Sequence, residues 1–150
     1  MLKKELIHIG LDCADEEEAL RTLANSFVKA GVVKESFVQA VIDREKVYPT
    51  ALPAGPFDIA IPHTVSAHVI EPSMAVAVLD HPVEFHQMGS PEITLHPQLL
   101  FMLAITDPKD QIVLLRRIMK LLQNDELLLQ VKNAATPDEI MELLVPALEQ

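Results

Sequence analysis

Apolar residues recur at helical spacing early in the chain, where Ala19, Leu20, Leu23, Ala24, Phe27 and Val28 fall on one face. Asp15 and Glu18 form a capping-box pattern ahead of that run, and Gly31 stands behind it as a C′ residue, so the spacing predicts a helix between them. A second helix is predicted from about Glu35 to Lys46, with Phe37, Val38, Val41 and Ile42 inward. Tyr48-Pro49 stops it, and Arg44 lies near its C-terminal end. Shorter runs read differently. Leu6-Ile7-His8-Ile9 reads as a short strand or an extended arm, Ile59-Ala60-Ile61 as a strand entered through a turn or hairpin, and Met74 to Leu79 as a buried strand. Pro82 to Phe85 fits a short edge segment. Leu99 to Ile105 is apolar on both faces and bounded by prolines, which favours a strand in the middle of a sheet.

Beyond Pro108 the helical period returns. Ile112, Val113, Leu115, Ile118, Met119 and Leu122 share a face, with Arg116, Arg117 and Lys120 toward the end, where cations suit the helix dipole. Asn124-Asp125 ends this helix or restarts a short one running through Val131. Thr136-Pro137-Asp138-Glu139 then caps a last helix carrying Ile140, Leu143 and Leu144. Helices before, between and after the strands predict an α/β fold, a single mixed β-sheet of about five strands flanked by helices on both faces. Without an internal repeat or linker, residues 1–150 are read as one domain.

Composition narrows the class. A 49% apolar share carried by aliphatic residues suits a packed core, and one cysteine, Cys13, excludes an internal disulfide framework. A signal peptide and a membrane-spanning apolar run are both missing, so the expectation is a cytoplasmic protein. A formal charge of −10, with twelve Lys and Arg, argues against nucleic acid as a partner. The acidic balance suits either a basic protein partner or plain solvation.

Chemistry concentrates in Phe57-Asp58-Ile59-Ala60-Ile61-Pro62-His63-Thr64. Pro62 cannot donate to a sheet ladder, so the strand should stop there and His63 should leave its end in a restricted direction, toward the crevice where open α/β sheets bind ligands. An imidazole with the ordinary pKa near ~6.5 keeps a large neutral, nucleophilic fraction at neutral pH and suits reversible phosphoryl carriage. Such a group needs donors and positive charge around its oxygens. Arg44 offers a planar fork, and Thr64 a hydroxyl and an N–H. Spacing alone leaves the plainer readings open: His63 as a rim or hydrogen-bonded core residue, Arg44 as a helix-end surface cation, Thr64 as a turn former.

Ile59-Ala60-Ile61-Pro62-His63-Thr64 resembles the phosphorylation motif of the mannitol/fructose-type enzyme IIA domains of the bacterial phosphoenolpyruvate-dependent sugar phosphotransferase system. Arg44-Glu45-Lys46-Val47-Tyr48-Pro49-Thr50 resembles the same family's Arg-Glu block ahead of a Pro-Thr turn. The segment from Pro49 to Pro62 and the run Val32 to Ala40 look most similar to the galactitol-specific branch. The resemblance implies that the phosphocarrier protein HPr phosphorylates His63, usually at Nε2, and that His63 passes the group to a cysteine of a cognate IIB component. A membrane IIC permease then takes up galactitol or a related sugar. It implies no nucleotide, metal or other cofactor in this domain. Many relatives carry a second histidine before the helix that follows the central strand, and Gln111 stands there in this sequence, able to orient or donate but not to shuttle a proton.

Two other readings compete. One is a regulatory module of the same fold, phosphorylated on His63 as a signal and without a transport role. The other is a metal-dependent hydrolase using His81 and His86 with Asp80 or Glu84, although five residues of extended chain would point the two rings to opposite faces. His68 reads as a turn histidine that could approach the site. His8 and His96 read as ordinary, and Cys13 as inert.

Overall fold

A computed structural model describes residues 1–149; Gln150 and the side chain of Asp110 lie outside the description. The first segment is a ten-residue strand, β1 (Leu2–Leu11), followed by helices α1 (Glu16–Ala30) and α2 (Ser36–Val47). Short strands β2 (Ala51–Pro53) and β3 (Asp58–Ala60) form a hairpin, then come β4 (Ser73–Leu79), β5 (Phe85–Gln87), β6 (Ser90–Leu95) and β7 (Leu99–Ala104). Helices α3 (Ile112–Leu122), α4 (Asp125–Asn133) and α5 (Pro137–Glu149) complete the chain.

All seven strands join one mixed sheet in the order β1-β4-β7-β3-β2-β5-β6, which corrects the expected five. The additions have weak signatures. β2 spans three residues and ends on Pro53, while β6 is an edge strand containing Pro91 with no buried residue, so neither carries a hydrophobic run. The edge segment expected at Pro82 to Phe85 lies slightly later, because Phe85 is where pairing with β6 begins. The segment Leu6 to Ile9, read as a short strand or an extended arm, is the centre of the longer strand β1, parallel to β4, with register irregularities on both sides of Ile7 to Ile9 and Gly10 at φ 70°. β7 pairs with β4 on one side and β3 on the other.

Both faces of the central strands are buried, which is why their sequences read as continuous apolar runs. Ala75, Ala77, Leu100, Met102 and Ala104 face α1 and α2, where Phe27 and Phe37 meet edge to face with ring centroids 5.6 Å apart. Met74, Val76, Val78, Leu99, Phe101 and Leu103 face α3, α4 and α5. The sheet thus presents several alanines to the side that receives two phenylalanines and larger side chains to the other, the size complementarity that close packing requires.

Helix boundaries follow the caps. The Glu18 N–H donates to the Asp15 carboxylate, and Ala14 N–H donates to Glu18, closing the reciprocal box. Gly31 takes the left-handed conformation at φ 76°. Thr136 and Glu139 repeat the box at the start of α5. In the β2–β3 turn, Gly55 lies against the Asp125 carboxylate so closely that a Cβ there would overlap it.

Candidate functional site

β3 and β7 are parallel neighbours, so the segments leaving their C-terminal ends emerge side by side. After Ala60, the Ile61 N–H donates to Thr50 O at 3.2 Å, and Leu103 N–H donates to Pro62 O at 2.9 Å. Two backbone bonds, one to the residue just before β2 and one from β7, therefore pin the dipeptide ahead of His63. The ring of His63 is half-buried, and its Nδ1 lies 2.8 Å from Ile61 O. A carbonyl only accepts, so Nδ1 carries the proton and the neutral ring's lone pair sits on Nε2.

His63 lines a cavity of about 430 Å³ together with Arg44, Thr64, Thr106, Leu115 and Met119, over a floor that includes Ile61, Leu103 and Ile118. The α2 C-terminus delivers Arg44, β3 delivers His63 and Thr64, β7 delivers Thr106, and α3 supplies an apolar wall. Arg44 is half-buried, its guanidinium carbon 4.9 Å from the Tyr48 ring centroid, and its Nε is buried without a hydrogen-bond partner. Among the described residues it forms no ion pair with a carboxylate. A cation that is packed yet unneutralised beside an imidazole is suited to receive an anionic group.

Of the four expected site residues, His63, Arg44 and Thr64 line this cavity. Gln111 does not; half-buried at the start of α3, it donates from Nε2 to Thr106 Oγ1 at 3.2 Å, and so touches a lining residue rather than the space itself. His68 lies outside the cavity lining, with Nδ1 2.8 Å from the Ser36 hydroxyl. His81 groups with Asp12 and Asp80, all exposed and beyond the C-terminal ends of the parallel strands β1 and β4, at the end of the sheet away from His63, whereas His86 lies near enough to Glu16 to influence it. The pairing of His81 with His86 that a hydrolase would need is not formed. Burial keeps the His8 ring below its ordinary pKa, and burial followed by the neighbouring Glu18 carboxylate pushes the Cys13 thiol up, away from reactivity.

One expectation about α3 changes. Ile118 and Leu122 are buried as read, but Ile112, Val113 and Met119 are 51%, 59% and 46% exposed. The apolar stripe is wider than the core beneath it. Met119 opens onto the cavity, and Ile112 and Met119 onto a shallow hollow beside it that shares Leu115. Val65 and Tyr48 add exposed apolar surface near the same opening. Contiguous surface of this kind marks an interaction site more often than chance packing.

Glu45 carries a role that the sequence reading did not assign. It is 3% exposed and accepts two 2.7 Å hydrogen bonds, from the N–H and the hydroxyl of Thr50. A signal existed: Glu45 continues the inward stripe of Val41 and Ile42, and a carboxylate on such a stripe must find buried donors. Desolvation, partly offset by the Thr50 bonds and reinforced by the Glu16 carboxylate, pushes its pKa from 4.5 to about 7. The folded protein therefore holds this proton between pH 4.5 and about 7, where the unfolded chain has released it. The stability so gained is full below the lower value and is lost as pH rises toward the upper one, by up to roughly 3 kcal/mol. Glu45→Gln, which cannot ionise, should remove that part of the decline, measured as the difference in denaturant midpoints between pH 5 and pH 8.

Comparison with known proteins covers nearly the whole chain. Residues 1–146 match the family model described as phosphoenolpyruvate-dependent sugar phosphotransferase system, EIIA 2. The 2-O-alpha-mannosyl-D-glycerate-specific EIIABC component of Escherichia coli K12 is 32% identical over 85% of this chain and 19% of its own length. The galactitol-specific EIIA component of the same strain is 27% identical over 81% of this chain and 80% of its own. This chain thus spans about a fifth of the larger EIIABC and EIICBA relatives it matches. Among solved structures, mannitol IIA of Escherichia coli superimposes with a TM-score of 0.77 at 27% identity, covering 96% of this chain and 99% of that one. The complex of enzyme IIAMTL with phosphorylated enzyme IIBMTL from that organism gives 0.78 at 26%, covering 97% and 99%.

Proposed function

Because the chain belongs to the phosphoenolpyruvate-dependent sugar phosphotransferase system EIIA 2 family, whose members are phosphotransferase components, we propose that it carries a phosphoryl group on Nε2 of His63. The observation that supports this most directly is the hydrogen bond from Nδ1–H to Ile61 O, which leaves the lone pair on the other nitrogen. HPr is the proposed donor. Nε2 attacks the phosphorus of phosphohistidyl HPr, a new N–P bond forms, and the donor's N–P bond breaks with its electron pair returning to the donor ring. Nδ1 keeps its proton throughout, and the bond to Ile61 O spreads the positive charge that develops on the ring.

Arg44 is proposed to hold the phosphoryl oxygens during transfer, where a fork of charged donors does more than a single point charge. Thr64 would add a hydroxyl. Gln111 would act through Thr106, setting that side chain at the cavity edge rather than touching the phosphoryl group. In the second half of the cycle a cysteine thiolate of a IIB component attacks phosphorus, an S–P bond forms, and His63 leaves with its lone pair restored. The exposed apolar residues of α3 and Val65 would exclude water as each partner docks. Phosphoryl transfer relies on positioning and electrostatics, and these residues are proposed to supply both.

The proposed destination is uptake of galactitol or a related sugar through a IIC permease. Support comes from the galactitol-specific relative, which this chain covers over most of its length. With phosphoenolpyruvate, enzyme I and HPr, the protein should acquire one acid-labile phosphoryl group. Adding a cognate IIB should discharge it to the IIB cysteine within seconds. A phosphorylated protein that never discharges would instead identify a signalling module, the reading to which the absence of a second histidine at position 111 lends weight.

A further inference from the structure

We propose that Glu45 is a positioning residue for the phosphoryl acceptor, acting through Thr50 and the backbone of Ile61 to fix which nitrogen of His63 is free. This rests on His63 being the acceptor, as argued above. The connection is continuous. The Glu45 carboxyl accepts from both the N–H and the hydroxyl of Thr50, Thr50 O accepts from the Ile61 N–H, and Ile61 O accepts from His63 Nδ1–H. Glu45 and Thr50 are both buried, so neither bond has water to replace it.

The chemical consequence concerns the tautomer. An unconstrained histidine side chain favours the form protonated at Nε2, in which the nitrogen needed for attack has no lone pair. Only the bond to Ile61 O reverses that preference; this carbonyl belongs to the Ile61–Pro62 peptide, which has no N–H, so its direction follows the Ile61 backbone torsions, and those are anchored through the N–H on the other side of the Ile61 Cα. Thr50 holds it, and Glu45 holds Thr50. The opposite flank of the dipeptide is tied separately, by Leu103 N–H to Pro62 O, so loss of the Glu45 end should loosen the peptide without unfolding the strand. Gln111 and Arg44 do not enter this chain of bonds.

The test uses Glu45→Ala, Glu45→Gln and Thr50→Val in the full chain. Ring-nitrogen NMR of His63 reports the tautomer without any phosphoryl transfer, and rapid quenching measures phosphorylation by phospho-HPr. Wild type should show the Nδ1–H form. Glu45→Ala should show a mixture containing Nε2–H, with transfer slowed about tenfold, the equivalent of one lost hydrogen bond. Glu45→Gln, whose amide can accept from the Thr50 N–H and donate to its hydroxyl oxygen, should restore the tautomer and bring the rate within about twofold of wild type. A folded Glu45→Ala protein with an unchanged tautomer and rate overturns the proposal. If Glu45→Ala fails to fold, Thr50→Val decides: a partial tautomer shift with a rate lowered about threefold supports the proposal, and no change in either overturns it. Should wild type take no phosphoryl group on His63, the functional reading fails, while the NMR comparison still reports on the clamp.

Discussion

His63→Ala should take phosphoryl incorporation from one group per chain to none when the protein is incubated with phosphoenolpyruvate, enzyme I and HPr. The expectation is total because no second imidazole among the described residues lines the cavity: His68 is occupied with Ser36, and His81 and His86 stand elsewhere on the surface. The substitution should leave the fold intact, since the ring is only half-buried and its hydrogen bond, to Ile61 O, is local. Radiolabel retained by His63→Ala, at the level of the unsubstituted protein, would refute the assignment whatever the family resemblance. Replacement by Gln gives a sterically closer control, and it too should carry nothing.

Arg44→Ala should slow phosphorylation by HPr about a hundredfold, the scale seen when one donor to a developing anion is removed from an enclosed site. Stability should fall by less than about 1 kcal/mol, because among the described residues the guanidinium pairs with no carboxylate, and it stacks on the exposed Tyr48 ring. Arg44→Lys should recover only part of the rate, because an ammonium keeps the charge but not the planar fork. Stopped-flow transfer and a denaturant titration on the same preparations separate the two effects. A large loss of stability with little change in rate would make Arg44 a structural residue.

The part of this architecture that could be read from the chain was the part written in local rules. Asp15, Glu18 and Gly31 announce both ends of α1, and Thr136 with Glu139 announces α5, because caps are contacts between residues three or four apart. β4 and β7 were legible for another reason: burial on both faces leaves no polar position to interrupt them. β2 and β6 were not, since three residues ending in proline and an exposed edge owe their conformation to partners distant in sequence. The exposure of Ile112, Val113 and Met119 escaped notice because periodicity gives the direction of an apolar face but not the extent of what covers it. At the site, the Ile-Pro-His sequence pointed to His63 as the candidate acceptor, and the structure brings it to one cavity with Arg44. Glu45 stood beside Arg44 in the same block, yet its connection to His63 runs through backbone atoms that side-chain identity does not reveal.

The order of the strands also bears on how this protein emerges from the ribosome. β1 is synthesised before the other strands, yet its only strand partner among the described residues is β4, and β4 is flanked on its other side by β7, which ends at Ala104. With translation adding on the order of 5–20 residues per second, the opening strand waits several seconds for a neighbour. Its sequence is protected during that interval. Lys3, Lys4 and Glu5 charge its first half, and Gly10 and the register irregularities bend its backbone, features that discourage a waiting strand from pairing with another nascent chain.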